Sequence, residues 1–509
     1  MIGNTMKEII YAIFLSFFLC GLCGNAEAKK KKEVKKAIKR EVQTPYDKLF
    51  KGKKAFTVNG LMKMHLMAGK VYAEFPIELL NRDLALTSSI EDISDNGEGV
   101  VGQFAGRVNQ FRFTLQDSML QARLVRRYGV KNTGMGKNAD QIIERSNTPG
   151  IFQSYKILAY TPDKKAVVVD MTELFLESSR LTNPFPSYAG NSLYGFVQRI
   201  HKFQSQRSEL LGICGNDNSM SVRCNLGFNV DRLVLGSFMQ AKDVPVSVTV
   251  NKILMLLPED PMRPRLADSR IGVNAIIQTE LPDVCQGIKT YYITKRWRIE
   301  PVDEIRYKQG EMVDVKKPIV FYIDTLMPDS WIKYVKAGAE AWNAAFEKIG
   351  LRNVVRTELF PKDSSFDAGD IHNSVIRYAP SWMYYPQYSM HTDPRTGEIL
   401  NASVYLPANV ASYFYTSRTE ETMAVDPSVR KARLSEEQFG EMFKAKMMQA
   451  IGRCLGLTDN YAASSVYPVD SLRSAKFTQK YGTTPSIMDY ARFNYVVQPE
   501  DKGVKLTPP

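Results

Sequence analysis

The stretch Ser435-Glu436-Glu437-Gln438 and the twenty residues after it constrain this chain more than any other part. Ser435 and Gln438 form a capping box, in which the serine oxygen takes a free amide of the first turn and the glutamine reaches back to the cap. Phe439, Phe443, Met447, Ile451 and Leu455 then recur at every fourth position without a break. That spacing predicts one amphipathic helix whose apolar row faces a core. Gly456 suits the left-handed residue that ends such a helix. Gln449 and Arg453 are offset by two residues from the row and lie four apart, so they share a face roughly opposite it.

The rest of the chain is long enough for two or three domains at 509 residues, and 44% hydrophobic with 24% charged residues is an ordinary globular balance. Lys7, the apolar run Ile9–Leu22 and the small-residue pattern Ala26-Glu27-Ala28 read as an export signal cleaved after Ala28. The apolar run is too short to span a bilayer. No later segment is long and apolar enough to do so. The formal charge of +13 is unevenly spread, because Lys29–Glu41 alone carries eight Lys or Arg against two Glu. Such a run is a solvated linker or rests on an anionic surface. A nucleic-acid protein would spread its basic residues over a folded face, so that class is excluded. The expected location is outside the cytoplasm: periplasm, cell envelope or medium. Four cysteines remain after cleavage: Cys214, Cys224, Cys285 and Cys454. Cys214 and Cys224 flank a polar stretch, which leaves a local disulfide and free thiols both open.

From Tyr46 to about residue 300 the pattern is mostly strands and turns. Alternation marks 70–75 and 110–115, and a hairpin is expected over 155–170 around the turn Thr161-Pro162-Asp163. A short helix is expected near Met171–Ser178. After Pro301 the character changes. Pro318–Ile323 reads as a buried strand. Pro328 and Asp329 then open a helix carrying Trp331, Val335, Ala339, Trp342, Phe346 and Ile349, with Gly350 placed to stop it. Further strands are expected at 353–358, 374–378 and 402–406, and Asp393–Glu398 reads as a hairpin turn. The fold class is α+β: a β-rich N-terminal region, then a domain with a mixed sheet and two long helices. The expected division is 1–28 export signal, 29–45 basic linker, 46–95 small domain, 96–300 β-rich domain and 301–509 last domain.

The string from Gln449 to Asn460 has the spacing of a zinc-peptidase helix, His-Glu-x-x-His-x-x-Gly-x-x-His, with different chemistry. In the active pattern two histidines one turn apart and a third beyond the glycine hold zinc, and the glutamate takes a proton from the bound water. Here those positions are Gln449, Ala450, Arg453 and Asp459. Gln449 is a poor zinc ligand, Ala450 accepts no proton, and Arg453 puts a permanent positive charge where a cation would sit. Only Asp459 could ligate a metal. Of the histidines His65, His201, His372 and His391, no two have ligand-like spacing, although His372 and His391 fall in the last domain.

Several further strings, in order, carry a family resemblance. They are Val71–Pro76, Leu257–Met262 with Asp268–Gly272, Lys295–Arg298, Trp342–Phe346, Asp393–Leu400 and Ser486-Ile487-Met488-Asp489-Tyr490. Together they resemble secreted bacterial zinc-dependent metalloproteases of the metzincin clan, in which two poorly characterised domains precede the catalytic one. The resemblance implies a metzincin-like fold for 301–509, zinc in the family, and Met488 as the methionine turn beneath the metal. Only 21 residues follow Met488, so the last domain is expected to be incomplete at its C-terminus, as a truncated relative or half of a split pair. With its ligands and base replaced, the expected protein is an inactive homologue that binds a peptide or protein and needs no cofactor. Arg453, Asp459 and Tyr490 are its candidate cleft residues. An active relative or a separate C-terminal half are candidate partners. The alternatives are an active metallopeptidase with unusual ligands and a structural cell-envelope protein.

Overall fold

Alternating apolar residues build the first half of the chain as antiparallel sheet. The structure, a computed structural model, describes residues 43–507 apart from 126–129, 133–136, 179–180, 186–196, 235–237, 283–286, 364–365, 382 and 491. The expected export signal, nearly all of the basic linker and Cys285 therefore lie outside the described residues. Among the described residues no helix is long and apolar enough to cross a membrane.

In chain order the first half contains helix α1 (Pro45–Phe50), strands β1 (Phe56–Val58), β2 (Lys63–Met67), β3 (Lys70–Pro76), β4 (Leu84–Ile93), β5 (Phe104–Gln116), β6 (Met119–Leu124) and β7 (Val130–Asn132), and helix α2 (Lys137–Ser146). Then come β8 (Gly150–Lys156), β9 (Ala159–Tyr160), β10 (Ala166–Asp170), helix α3 (Thr172–Leu176), β11 (Val197–Asn216), β12 (Ser219–Val234), β13 (Phe238–Leu256), β14 (Ala275–Leu281) and β15 (Lys289–Thr294). One sheet has the order β1-β2-β3-β10-β9 and a second β11-β12-β13-β4-β5-β6-β8. Their facing side chains, among them Phe75, Phe111, Phe113 and Val222, share one core with Phe175 of α3.

Two expectations change here. The hairpin over 155–170 is real only from β9 to β10, because β8 pairs with β6 in the other sheet. The division at 95/96 is not a boundary of sheet or core. β3 is completed by β10, and β4 is held between β13 and β5.

The second half begins with helix α4 (Glu304–Lys308), β16 (Val313–Asp314), β17 (Ile319–Ile323), helix α5 (Asp329–Glu340) and helix α6 (Asn343–Glu347). It continues with β18 (Leu351–Arg352), β19 (Val355–Leu359), β20 (Ser374–Ala379), β21 (Gln387–Thr392), β22 (Ile399–Pro407), helix α7 (Val410–Thr422) and helix α8 (Glu436–Cys454). The sheet order is β19-β17-β20-β22-β21, parallel except for the outer strand β21. A core from Phe321 and Val404 to Phe443 and Ile451 joins sheet and helices.

The helix expected to run unbroken to Ile349 instead stops at Glu340 and restarts at Asn343. Asn343 explains the break: its side chain donates to the Val355 carbonyl at 2.8 Å and accepts from the Val355 amide at 2.9 Å, tying the chain to β19. Gly350 follows at φ +81°. Helix α7 was not foreseen, because Val410–Thr422 lacks a clear apolar stripe.

Helices α5 and α8 touch through glycines. A Cβ on Gly338 would lie 2.6 Å from the Met447 Cβ and 2.8 Å from the Lys444 carbonyl oxygen, both too close. Gly338→Ala should therefore force the helices apart and cost about 1–3 kcal/mol, as overpacking does. We expect a melting midpoint several degrees lower in a thermal scan, with Lys336→Ala on the exposed face of the same helix nearly neutral. An unchanged midpoint for Gly338→Ala would rule out this close crossing.

Candidate functional site

Helix α8 is fixed by its own sequence at both ends. Ser435 Oγ accepts from the Gln438 amide and Gln438 Oε1 accepts from the Ser435 amide at 3.0 Å, completing the capping box. At the other end the Leu457 amide donates to the Gly452 carbonyl at 3.0 Å and the Gly456 amide to the Arg453 carbonyl at 3.0 Å, a Schellman closure. Gly456 sits at φ +102°, and a Cβ there would lie 2.5 Å from the Lys295 carbonyl oxygen, so only glycine fits. Trp297 Nε1 donates to the Cys454 carbonyl and Trp342 Nε1 to the Met448 carbonyl, pinning the last two turns.

The C-terminal segment closes over α8. Met488 is buried and lies under Gly452, where a Cβ would come within 2.4 Å of its sulfur. Asp489 holds this turn: its carboxylate accepts from Ser464 Oγ and Thr484 Oγ1, each at 2.6 Å. The Met488 carbonyl takes the Asn460 amide at 2.8 Å, which ties the turn to the chain just past Asp459.

The sequence-designated polar residues all have partners within the domain, and Arg453 and Asp459 pair with each other. Gln449 is buried; its Nε2 donates to the Asp489 carbonyl at 2.8 Å and its Oε1 accepts from Lys446 Nζ at 2.9 Å. Ala450 packs into the domain core. Arg453 donates through Nε at 2.9 Å and Nη2 at 2.6 Å to one oxygen of Asp459. Its guanidinium also lies 5.8 Å from the centroid of the Tyr388 ring on β21. Tyr490 is about half exposed, with Lys446 Nζ 5.7 Å from its ring centroid. Lys446, missed in the sequence reading, joins them. Its signal was its position three residues before Gln449, on the same helical face. Burial, reinforced by the Arg453 charge and only partly offset by Asp459, pulls its ammonium down to about 8. Burial likewise raises the Tyr388 phenol.

These donors do not suit zinc. The Gln449 amide is committed on both sides, Arg453 is a cation, and the one carboxylate is held by that cation. Among the described residues no three His, Cys, Asp or Glu side chains cluster as a metal would need.

The histidines lie elsewhere. His65 joins Glu74 at 2.9 Å, His201 joins Glu98 at 2.8 Å, and His372 joins Asp370 at 2.8 Å. His391, on β21, is buried against Phe104 of β5, and neither ring nitrogen has a hydrogen-bond partner among the described residues. Cys214, Cys224 and Cys454 are free thiols, so the local disulfide left open above does not form. In the β11–β12 ladder Cys214 faces Ser221 while Cys224 faces Leu210, which keeps the two sulfurs in different rungs.

A capped helix that turns back at a positive-φ glycine, above a buried methionine turn, is the framework of a metzincin-type domain. Residues 431–509 match the family model described as Met-zincin, and residues 102–302 match one described as a domain of unknown function (DUF5117). The chain is a metzincin-like protein with an N-terminal domain of unknown function. No curated protein and no solved structure matches it.

His391 gives this region a pH dependence. Burial, with Lys295 nearby, pushes its imidazole down to about 4. The unfolded chain takes up a proton near pH 6.5, whereas the folded chain resists it until about pH 4. Stability is therefore full above pH 6.5 and falls between there and pH 4, by roughly 3 kcal/mol from this group. Urea unfolding at pH 7.5, 6 and 4.5 should show a smaller acid loss in His391→Leu than in the native chain. Parallel curves would refute this assignment.

Proposed function

We propose that this protein is an exported metzincin homologue without peptidase activity, which acts by holding a peptide or protein segment in the cleft beside α8. The observation that carries the reading is that every polar side chain at the ligand positions is already committed to a protein partner. Arg453 and Asp459 form a 2.6 Å ion pair, Gln449 is bonded on both sides, and Ala450 offers no base. Loss of a general base alone typically lowers a rate by a factor of about a hundred to ten thousand. Without a metal the site also lacks the Lewis acid and the activated water. In this reading the protein carries no zinc and no other cofactor.

The cleft keeps what binding needs. β21 is the outer, antiparallel strand of its sheet, and Tyr388 on it meets Arg453 of α8. A strand at a sheet edge beside a groove can take an extended peptide by β-augmentation. The export reading is supported by the short apolar run Ile9–Leu22 and the Ala26-Glu27-Ala28 pattern.

Metal analysis of the purified chain, with a peptidase assay alongside, tests the central claim. We expect well under one zinc per chain and no cleavage. The variant Gln449→His, Ala450→Glu, Arg453→His, Asp459→His, which restores the full pattern, should bind about one zinc per chain. Stoichiometric zinc with hydrolysis by the native chain would overturn the proposal.

A further inference from the structure

Between α8 and the segment 487–493 lies a cavity walled by Phe414, Met442, Ile487 and Phe493, with Lys446 and Arg492 in its lining beside Asp489, whose carboxylate is taken up by Ser464 and Thr484. Lys446 is the group that asks for an occupant. The partners the structure gives it are both neutral, the Gln449 amide oxygen at 2.9 Å and the Tyr490 ring. Arg453 and Arg492 add positive charge around it. Asp459 offsets that charge only in part and is already held by Arg453. Arg492 for its part is paired with Glu421 at 2.8 Å. A partly buried ammonium with neutral partners is costly unless an anion meets it. The apolar walls add a second requirement: whatever brings the negative charge also brings an apolar group to fill the hole.

A peptide C-terminus meets both requirements at once. We propose that this cavity binds the terminal carboxylate of an extended peptide whose last residue is apolar, with the carboxylate on Lys446 and the side chain between Phe414, Met442 and Phe493. The proposal names the ligand class for the cleft and so rests on the binding role given above. It also explains a lysine at this position: an ammonium without a carboxylate partner of its own gains an ion pair when the peptide arrives, and this gain is absent for a peptide without the charge.

The test uses the full mature chain and fluorescein-labelled, alanine-rich heptapeptides in an anisotropy titration at pH 7. One peptide ends in leucine as the free acid, one in leucine as the carboxamide, and one is a carboxamide with glutamate inside and leucine last. We expect the free acid to bind at least tenfold more tightly than either carboxamide. Lys446→Met should remove that difference, and Lys446→Arg should restore part of it. Equal binding of acid and carboxamide would overturn the carboxylate anchor while leaving the cleft role standing. Tight binding of the internal-glutamate carboxamide would overturn the terminal assignment. If no peptide binds the native chain at all, both the anchor and the cleft role fall. The acid-to-carboxamide comparison on the native chain decides the matter even where a Lys446 variant folds poorly.

Discussion

Helix α8 is held on every side, and the last domain is arranged around that fact. Its apolar row enters the core under the sheet, its first turn is capped by Ser435 and Gln438, and its last turn closes at Gly456 against the Lys295 carbonyl. Gly338 lets α5 pack at close range on one flank, and Met488 sits against Gly452 on another. A cap contributes about 1 kcal/mol, and a well-filled core more. Together these constraints leave residues 449 to 459 little freedom in where they point. The placement of this segment is therefore chiefly a property of packing and turn chemistry, separate from the local ties that Gln449 makes to Asp489 and Arg453 to Asp459.

That separation explains why the scaffold was readable and parts of its surroundings were not. The capping box, the five-residue apolar row and Gly456 are local signals, and the helix they mark runs Glu436–Cys454. The convergence of Gln449, Arg453 and Asp459 follows from helical spacing plus a glycine turn, which sequence displays directly. The long strands β11, β12 and β13 were not legible. The partly buried face of β11 carries Arg199, His201 and Ser208 while Ile200 and Leu211 are exposed, so no two-residue apolar alternation marks it. It is ordered by its ladder to β12, the next strand across a two-residue turn, and that hairpin is anchored through β13 to β4, a partner many residues away. The sharing of a core across residue 95 is hidden for the same reason, since β3 finds β10 and β4 finds β13 only in three dimensions. Lys446 was passed over because a lone lysine on a helix is ordinarily a solvated residue, and its burial comes from the distant segment 487–493.

The histidines illustrate how weak a residue type is without its setting. His65, His201 and His372 each have a carboxylate partner, and each serves its own neighbourhood. His391 has none among the described residues and is enclosed between β21 and β5, where it acts as a packing group against Phe104. Being on the same strand as Tyr388 does not bring it to the cleft, because the two residues are three apart and side chains on a strand alternate faces.

The change in charge at the site has a consequence of its own. A zinc site gathers neutral imidazoles around a cation, and substrate carbonyls approach that cation. Here the protein supplies the cations itself, on side chains fixed to the helix: Lys446 and Arg453, with Arg492 across the cavity. Two of them are matched by carboxylates, Arg453 by Asp459 and Arg492 by Glu421. The residual positive charge therefore concentrates on Lys446, the one that burial has already weakened as an acid-base partner of water. A neutral amide gains little there, whereas an anion gains both a charge partner and release from solvent competition. Under the binding role proposed above, these side chains would make the cleft select for negative charge at one point along an extended chain.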